Sequence, residues 1–541
     1  MWGNWFRSVV IPAPRRSRRN HSHSSARRRP ALDSLEDRTV PTVFTVNTAA
    51  DTLDANPGDG IAADSTGATS LRAAIMEANA LAGADTINIP AGGYPLTRPG
   101  VNEDSGLNGD LDIRGDLTIN GAGRDTTIID GNQLDRVFHV VGVFRSGGPT
   151  VTIANLTVFN GRAPSIPTSN GFDGGGVLND FSTLTLNNVW ITGNRAGDGL
   201  FGGSGGGVYT AVGTTTIVNS LISGNQAGNG TSIGGNGGGV GSLTSITTIR
   251  DTTIQDNRSG DGQAGAGLLT AGDGGGIYSA SAERDTNGFL TVVNSTVTLN
   301  TVGTTTLGDG GGIITHDERF LLDTSVVSNN TAWRAGGVEI DITRSAEIRN
   351  STIAGNKATA GGAGGIYHTT SFNQLATPTV ITGTTVSGNQ APNSAAFDGG
   401  GGMINQGEIG SIVNSTFAQN STNTVGGGIA NYHNIGKIVN TTIAENAAND
   451  GGGLFHMLFA NFTPRITELS NTIIANNTAT GTANEDYVQK GAVDTARNNL
   501  VEAPGGHPLS NGINGNVVGF DPKLADLANN GGPTKTYALI A

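Results

Sequence analysis

Short apolar–polar–apolar segments recur along most of this chain, separated by stretches rich in Asn and Gly. From about residue 150 to 480 one phrase returns: an alternating segment, then Asn-Ser/Thr-Thr-Ile/Val-x-x-Asn, then a Gly-rich stretch ending in Gly-Gly-Gly-Ile/Val. The final Asn recurs at steps of 26 to 43 residues, at positions 160, 194, 225, 257, 300, 330, 356, 389, 420, 446 and 477. A repeat of about 30 residues with two or three short segments predicts a solenoid.

The period inside each repeat identifies the kind of solenoid. Apolar residues do not follow helical spacing, and Leu is too sparse for leucine-rich repeats. Thr, Val and Ile dominate the alternating segments, which favours strands. At ~3.3 Å per residue, three short strands and three turns close one coil. We therefore predict an all-β fold, a single-stranded right-handed parallel β-helix whose coils lie ~4.8 Å apart with equivalent residues in register.

The recurring Asn and Gly residues fit this architecture. Asn tolerates left-handed backbone where a strand turns a corner, and stacked amides can bond from coil to coil at about 1 kcal/mol each. Gly clusters precede the apolar residue that opens a strand, where they allow positive φ and close approach of coils. The acidic residues beside them are Asp173, Asp273, Asp309, Asp398 and Asp450. These suit turns better than calcium, since the Gly-Gly-x-Gly-x-Asp nonapeptide repeat is missing.

The N-terminal end of the solenoid has its own pattern. Residues 70–79 predict a short helix, with Leu71, Ile75 and Ala78 on one face. We expect this helix to cap the first coil, since an open β-helix exposes unpaired strand edges. Ala73 replaces the Glu of a capping box, which weakens the start of the helix.

Composition and charge remove several classes of protein. The 541 residues include 85 Gly and no Cys, which excludes disulfides, thiolate zinc sites and Cys nucleophiles. No apolar run is long enough to predict a membrane-spanning helix. Nine Arg and three acidic residues give segment 1–41 a charge of +6, so the remainder carries −19 of the total of −13. The acidic body argues against nucleic acid as a partner, and we expect the basic segment to be a disordered targeting leader or a solvated tail.

Candidate chemistry lies on the outward face of the coils. Counted from the apolar residue after each Gly cluster, positions +1 and +3 face outward, and stacking brings His316 within ~5–6 Å of Asp341. Glu339 shares that face, and Arg344 is close in sequence. A His–carboxylate pair or paired carboxylates can transfer protons, as a carbohydrate-processing or acidic metal site requires. A solvated, salt-bridged face explains the same residues, so these four remain candidates and no residue is assigned to catalysis, a cofactor or a metal.

The same count assigns two further groups. Tyr209, Tyr278 and Tyr367 fall in an outward column, as exposed strand residues or as platforms for stacking sugars. His368 and His456 fall in an inward column at the end of a strand. We expect hydrogen-bonded histidines there and not ligands.

Several stretches resemble families of bacterial surface proteins. The Gly-Gly-Gly-Ile/Val and Ile/Val-x-x-Asn phrases resemble the repeats of polymorphic outer membrane proteins, whose Phe-x-x-Asn motif is matched by residues 417–420. The segments 44–54, 70–72, 84–88 and 90–94 resemble a CSLREA domain, although the two Cys that are usual in that domain are absent. Residues 520–524, 529–534 and 537–539 resemble a choice-of-anchor Q segment, and residues 35–41 resemble an N-terminal motif of planctomycete surface proteins.

These resemblances imply a domain organisation and a location. The expected parts are a basic leader at 1–41, a CSLREA-like cap with the first coils at 42–125, β-helix repeats at 126–480, and C-terminal coils with a truncated choice-of-anchor Q-like segment at 481–541. They imply an extracellular or cell-surface protein associated with the bacterial outer membrane.

Two classes of function remain open. Unbroken repetition, low charge and the surface-protein resemblance favour a structural or adhesin-like protein without catalysis or cofactor, monomeric, whose partner is an extracellular carbohydrate or another surface component. The alternative is a polysaccharide-binding or polysaccharide-degrading enzyme, a pectate lyase-like protein or a glycoside hydrolase, with its site near His316 and Asp341. A lyase of acidic polysaccharides would need a calcium-binding Asp cluster together with Arg or Lys, and the chain has only five Lys.

Overall fold

The computed structural model describes residues 41–540, except for 102, 263–270, 282–287, 304–306, 317, 342–343, 370–376, 393–398, 459–461, 482–484 and 504–508. The predicted leader, apart from its last residue, and Asp398 lie outside the described residues. In the described part of the chain, no helix is long and apolar enough to cross a membrane.

Three long sheets contain most of the described strands. Sheet A has 15 strands: Val43–Thr45, Asp85–Ile89, Leu117–Gly121, Thr150–Ala154, Thr183–Asn187, Thr214–Val218, Ile246–Arg250, Phe289–Val293, Arg319–Asp323, Ser345–Arg349, Thr379–Thr382, Ile409–Val413, Ile435–Val439, Arg465–Ser470 and Ala492–Arg497. Sheet B has 15 strands: Gly92–Pro95, Thr127–Asp130, Thr157–Phe159, Trp190–Thr192, Leu221–Ser223, Thr253–Gln255, Thr296–Thr298, Val326–Ser328, Thr352–Ala354, Thr385–Ser387, Thr416–Ala418, Thr442–Ala444, Ile473–Ala475, Leu500–Val501 and Val517–Val518. Sheet C has 13 strands: Leu111–Ile113, Phe138–Val141, Val177–Asp180, Val208–Ala211, Val240–Leu243, Ile277–Ala280, Ile313–His316, Val338–Asp341, Ile366–Thr369, Met403–Gln406, Ile429–Asn431, Leu454–His456 and Tyr487–Gln489.

The remaining described elements are small. A six-stranded sheet contains Thr331–Ala332, Lys357–Ala358, Gln390–Ala391, Ser421–Thr422, Ala447–Ala448 and Thr478–Ala479. A two-stranded sheet contains Gly199–Phe201 and Gly230–Ile233. The helices are an α-helix at Leu71–Ala80 and a 3-10 helix at Ile513–Gly515.

Strands of one sheet come from successive coils and pair in parallel. In sheet C, Val177 pairs with Val208, and in sheet B, Trp190 pairs with Leu221. The chain passes from sheet C to sheet A and then to sheet B, and a Gly-rich connection returns it to sheet C one coil further on. The prediction of a parallel β-helix is confirmed.

Alternation along each strand decides which side chains fill the interior. In the strand Thr183–Asn187, Leu184 and Leu186 are fully buried, whereas the Thr and Asn between and beside them are not. Inward Ile, Leu and Val stack on their equivalents in neighbouring coils and form one apolar core from Phe44 to Val501. Each fully buried aliphatic side chain stabilises the fold by about 1.5–3 kcal/mol.

A column of Asn side chains runs along the corner that follows sheet B. Each Nδ2 donates to the Oδ1 of the next Asn at 2.9–3.0 Å, through Asn194, Asn225, Asn257, Asn300, Asn330, Asn356, Asn389, Asn420, Asn446 and Asn477. The column ends where the Nδ2 of Asn477 donates to the Oδ1 of Asp486 at 2.9 Å. The predicted stack of amides is confirmed.

The left-handed backbone lies one residue away from its predicted position. None of the ten stacked Asn has a positive φ, whereas the residue before each does, as in Gly193 (63°) and Asn329 (55°). Asn160, with φ 57°, occupies this corner position, and Gly161 stands where the stacked Asn would be. Separate residues therefore meet the needs of the corner and of the stack.

The Gly clusters have the positive φ and the close approach between coils that the sequence predicts. Gly205, first of its cluster, has φ 67°, a conformation that L side chains rarely adopt. A Cβ on Gly206 would lie 2.5 Å from the carbonyl oxygen of Gly238, one coil further on. Glycine is therefore required there for the coils to approach each other.

The α-helix Leu71–Ala80 packs against the first coil as a cap. The Oγ of Ser70 accepts a hydrogen bond from the Ala73 N–H at 2.9 Å, so the helix has an N-cap without a capping box. Its buried face includes Leu71, Ile75 and Ala78, which join the apolar core. The predicted capping helix is confirmed.

The C-terminal residues fold back onto sheet B. An antiparallel bridge between Leu524 and Leu539 closes a hairpin. The Oγ1 of Thr385 donates to a carbonyl oxygen of this hairpin at 2.6 Å, and the hydroxyl of Tyr537 donates to the Glu445 carboxylate at 2.9 Å. The hairpin therefore contacts sheet B from outside the solenoid.

The outer face of sheet C is largely covered. Most side chains at +1, which the sequence places outward, are buried: Ile314 and Glu339 are each 1% exposed, whereas Tyr278 is partly exposed. Residues of this column and of the Gly-rich connections, together with Tyr432 at +3, form a second apolar cluster: Ala335, Ala363, Tyr367, Ile404, Ala430, Tyr432, Phe455 and Val488. The connections thus lie against the +1 column, and the +3 column supplies the accessible polar groups near the middle of the sheet.

Candidate functional site

His316 and Asp341 meet as the repeat register predicts. They are paired residues on the neighbouring strands Ile313–His316 and Val338–Asp341. The Nδ1 of His316 lies 2.9 Å from the Oδ2 of Asp341, and the two side chains are 25% and 23% exposed. The pair is therefore held in place and still reaches solvent.

Tyr278 flanks this pair one coil earlier. Its ring centroid lies 5.6 Å from that of His316, and the two ring planes are tilted by 52°. Burial raises the pKa of the Tyr278 hydroxyl, so it stays protonated at neutral pH. Asp273, at the start of the same coil's Gly cluster, also has its pKa raised by burial. An aromatic ring, an imidazole and a carboxylate thus share one patch.

A charged network lies beside and beneath the patch. The Nη2 of Arg334 lies 2.5 Å from the Oδ2 of Asp309 and 3.3 Å from the Oε1 of Glu339. The guanidinium carbon is 4.6 Å from the centroid of the Tyr367 ring, a cation–π contact. Arg334 is therefore committed to neighbouring protein groups.

The prediction that Glu339 faces solvent is wrong. Its side chain is 1% exposed, because Arg334 and the preceding Gly-rich connection cover it. Burial, followed by repulsion from Asp309, raises its pKa well above the usual range despite the attraction of Arg334. Glu339 is thus a carboxyl group that favours its neutral form and lacks access to solvent.

Arg344 lies at the edge of this region, immediately before the strand Ser345–Arg349. Its backbone N–H donates to the carbonyl oxygen of Glu318 at 2.9 Å. Among the described residues, the Arg344 side chain forms no ion pair with Asp341. The structure therefore brings together three of the four candidates, with Glu339 below the surface and Arg344 apart.

The Tyr and His columns have different outcomes. Tyr209 and Tyr367 are 8% and 6% exposed, so the prediction that they are exposed is wrong. His368 is buried as predicted, with Nδ1 2.8 Å from the Oδ1 of Asn405. His456 is also buried, with Nε2 3.2 Å from a backbone carbonyl oxygen. Burial lowers the pKa of both histidines to about 4, so they are neutral structural residues.

A second His–carboxylate group, not predicted from the sequence, lies near the N-terminal end of sheet C. The Nδ1 of His139 is 3.1 Å from the Oδ1 of Asp112, and its Nε2 is 3.3 Å from the Oδ2 of Asp180. His139 is 6% exposed. Burial lowers its pKa, but the hydrogen bonds with Asp112 and Asp180 outweigh this and raise the pKa to about 9.

The register contains the signal that identifies this second group. His139 pairs with Asp112 in sheet C, and Asp180 lies on the following strand. The regular phrase begins near residue 150, so the column count used for later repeats does not extend to Asp112 and His139. Extending the +1 column backwards by two strands would have found them.

The comparisons with known proteins give a distant structural similarity. No known family profile and no curated protein sequence matches the chain. Among solved structures, it is similar to the A-module of the mannuronan C-5 epimerase AlgE6 of Azotobacter vinelandii, at 12% identity and a TM-score of 0.38. The similarity covers 85% of this chain and 100% of that module. A likeness this distant carries no argument about activity or substrate.

Proposed function

We propose that this protein is a non-catalytic surface solenoid that binds an uncharged or basic glycan at the patch formed by His316, Asp341 and Tyr278. One contrast carries the proposal: on a single strand, Asp341 is 23% exposed, whereas Glu339 is 1% exposed. Asp341 and His316 offer hydrogen bonds to sugar hydroxyls, and the Tyr278 ring adds an apolar contact. Stacked coils hold these groups in fixed positions, which reduces the entropy lost on binding.

Access argues against catalysis at this patch. A general acid must come within about 2.6–3.2 Å of the proton acceptor on its substrate. Glu339 has the raised pKa that proton donation requires, yet it lies beneath Arg334. The exposed groups are suited to recognition rather than to bond cleavage.

Local charge selects the class of glycan. The Asp341 carboxylate is 23% exposed in the patch, whereas Arg334 already binds Asp309 and Glu339. A polymer of uronic acids would bring its own carboxylates against Asp341, whereas neutral and amino-sugar polymers would not.

Polysaccharide degradation is the competing proposal, and one observation favours it. Asp341 and Glu339 are two residues apart on one strand, and burial raises the pKa of Glu339. A glycosidase typically uses two carboxyl groups, one of which has a raised pKa and acts as the general acid.

Affinity electrophoresis in gels containing xylan, glycol chitosan or polygalacturonate tests the proposal. We expect retardation by xylan or glycol chitosan, no retardation by polygalacturonate, and at least a tenfold weaker affinity for Asp341→Asn. The matched control is Asp323→Asn, which removes a partly exposed carboxylate paired with Arg349 on sheet A and leaves retardation unchanged. Mobility in gels without polysaccharide corrects for the altered charge of each variant.

The same polymers are assayed for new reducing ends and for unsaturated products. We expect neither product. Retardation by none of the polymers would contradict glycan binding, and turnover that Asp341→Asn abolishes would establish the competing proposal.

A further inference from the structure

We propose that Asp104, Asp112 and His139 bind a divalent transition-metal ion at the N-terminal end of sheet C, with Asp180 as a positioning residue. Within the part of the chain that the structure describes, one donor atom from each of the three ligands lies within 4.8 Å of the other two. An imidazole with two carboxylates is a ligand set that suits zinc and its neighbours in the first transition row. This site is distinct from the glycan patch and does not depend on it.

The distances suit donors that share one ion. Zinc binds His nitrogen and carboxylate oxygen at about 2.0–2.2 Å, so neighbouring donors around it lie about 3–3.5 Å apart. The Nδ1 of His139 is 3.1 Å from the Oδ1 of Asp112. It is 3.8 Å from the Oδ1 of Asp104, whose side chain is 60% exposed and has room to adjust.

On the side that faces away from the proposed ion, His139 and Asp112 each contact a polar group that orients the ligand. The Nε2 of His139 lies 3.3 Å from the Oδ2 of Asp180, which leaves Nδ1 directed toward Asp112 and Asp104. The Oδ2 of Asp112 accepts a hydrogen bond from the Gly106 N–H at 2.8 Å, which leaves Oδ1 for the ion. A carboxylate behind the ligating histidine and a hydrogen bond behind the ligating carboxylate typically orient the ligands of a metal.

A buried arginine of the capping helix holds the loop that joins two of the ligands. Arg72 is 1% exposed, and its guanidinium donates to the carbonyl oxygens of Gly106, Gly109 and Asp110 at 2.8–3.0 Å. It also pairs with Asp51 at 2.5 Å. The loop between Asp104 and Asp112 is therefore fixed from behind, which reduces the rearrangement that binding requires.

The charges of the side chains around His139 also favour a bound cation. Asp110 is paired with Arg136 at 2.7 Å, so these two groups offset each other's charge. Among the described residues, His139 is the basic side chain that pairs with Asp112, Asp104 and Asp180. A divalent cation offsets this concentration of negative charge more fully than one imidazolium does.

Calorimetric titration of the chelator-treated full chain with ZnCl2 at pH 7.5 tests the site. We expect one ion per chain, and at least tenfold weaker binding for Asp112→Asn, His139→Gln and Asp104→Asn. Asp180→Asn should weaken binding about 10–100-fold, as expected for a group that orients a ligand. Titration with CaCl2 should show at least 100-fold weaker binding, because Ca²⁺ requires six to eight oxygen ligands.

The matched control is His316→Gln, which alters the other His–carboxylate pair of sheet C and should leave zinc affinity unchanged. Circular dichroism verifies that each variant is folded, and the exposed Asp104 provides a ligand variant that does not disturb a buried group. Replacing zinc with Co²⁺ should give a visible absorption band that His139→Gln shifts. Absence of zinc binding, or binding that Asp104→Asn and His139→Gln leave unchanged, would overturn the proposal and leave His139 as an imidazolium between two aspartates.

Discussion

The Nδ2 of Asn330 lies 3.0 Å from the Oδ1 of Asn356, which is 26 residues later in the chain and one coil further along the solenoid. The same Nδ2 is 3.0 Å from the carbonyl oxygen of Val297 in the preceding coil. The Oδ1 of Asn330 accepts from both the backbone N–H and the side chain of Asn300. One side chain thus bonds three successive coils.

Replacing Asn330 with Ala should therefore destabilise the protein strongly. The change removes four hydrogen bonds and leaves buried backbone groups without partners, so we expect a loss of ~3 kcal/mol or more in the free energy of unfolding. Urea denaturation followed by circular dichroism measures it. The matched control, Asn329→Gly, changes the neighbouring exposed corner residue with φ 55° and should stay within ~0.5 kcal/mol. Equal effects of the two substitutions would contradict the role of the column.

Gly241 should tolerate no side chain. It pairs with Tyr209 in sheet C, and a Cβ would lie 2.7 Å from the ring edge of Tyr209, which is 8% exposed. We expect Gly241→Ala to lower the free energy of unfolding by ~1–3 kcal/mol. Gly93→Ala is the control, since nothing lies within 4 Å of the added Cβ. If Gly241→Ala proves neutral, the Tyr209 ring does not lie over Gly241.

Glu318 should make stability depend on pH. Burial raises its pKa from 4.5 to about 8 in the folded protein. Between these values the unfolded chain releases a proton that the folded chain keeps, so this contribution to stability falls as pH rises from about 4.5 to 8. Glu318→Gln should make the fall smaller and be more stable than the parent by ~4 kcal/mol at pH 8, since each unit of the pKa difference corresponds to about 1.4 kcal/mol. Urea midpoints at pH 5 and pH 8 measure the change.

The control for this prediction is Glu347→Gln, because the Glu347 side chain is 45% exposed. It should leave the pH dependence of the parent unchanged. If the free energy of unfolding falls as much between pH 5 and pH 8 in Glu318→Gln as in the parent, Glu318 does not cause the fall.

The N-cap of the helix Leu71–Ala80 depends on the hydroxyl of Ser70. The Oγ of Ser70 accepts from the Ala73 N–H and donates to the carbonyl oxygen of Thr52 at 2.7 Å. Ser70→Ala and Ser70→Gly both lose the two hydrogen bonds of this hydroxyl. Each should therefore lower the free energy of unfolding by about 1 kcal/mol. Thermal unfolding measures both variants. Unchanged midpoints would mean that the helix begins without this cap.

The sequence was sufficient for features that depend on local pattern or on register. The helix at Leu71–Ala80 follows from its apolar face, and the pairing of His316 with Asp341 follows from counting equal positions in two repeats. Register is reliable here because a shift of one residue would turn every apolar side chain of a strand outward.

Burial of the +1 column cannot be predicted from local pattern or from register. It depends on the path of the Gly-rich connections, which place Ala335 and Ala363 against Tyr367. Strand alternation assigns a side chain to a face of the sheet but does not show what covers that face. Alternation alone therefore places Glu339 at the surface, and the column count does not reach the group around His139 because its strands precede the regular repeats.

Distances between electron-spin labels test the stacking of coils most directly. The chain has no Cys, so a pair of Cys residues introduced at outward-facing positions of sheet B provides two unique label sites. Ile128 lies in one column with Val326 and Thr352, reached through Thr157, Trp190, Leu221, Thr253 and Thr296. Six and seven strand spacings separate Ile128 from Val326 and from Thr352, which predicts backbone distances of ~29 Å and ~34 Å. Two narrow distributions that differ by ~5 Å would support the account, whereas broad distributions or equal mean distances would contradict it.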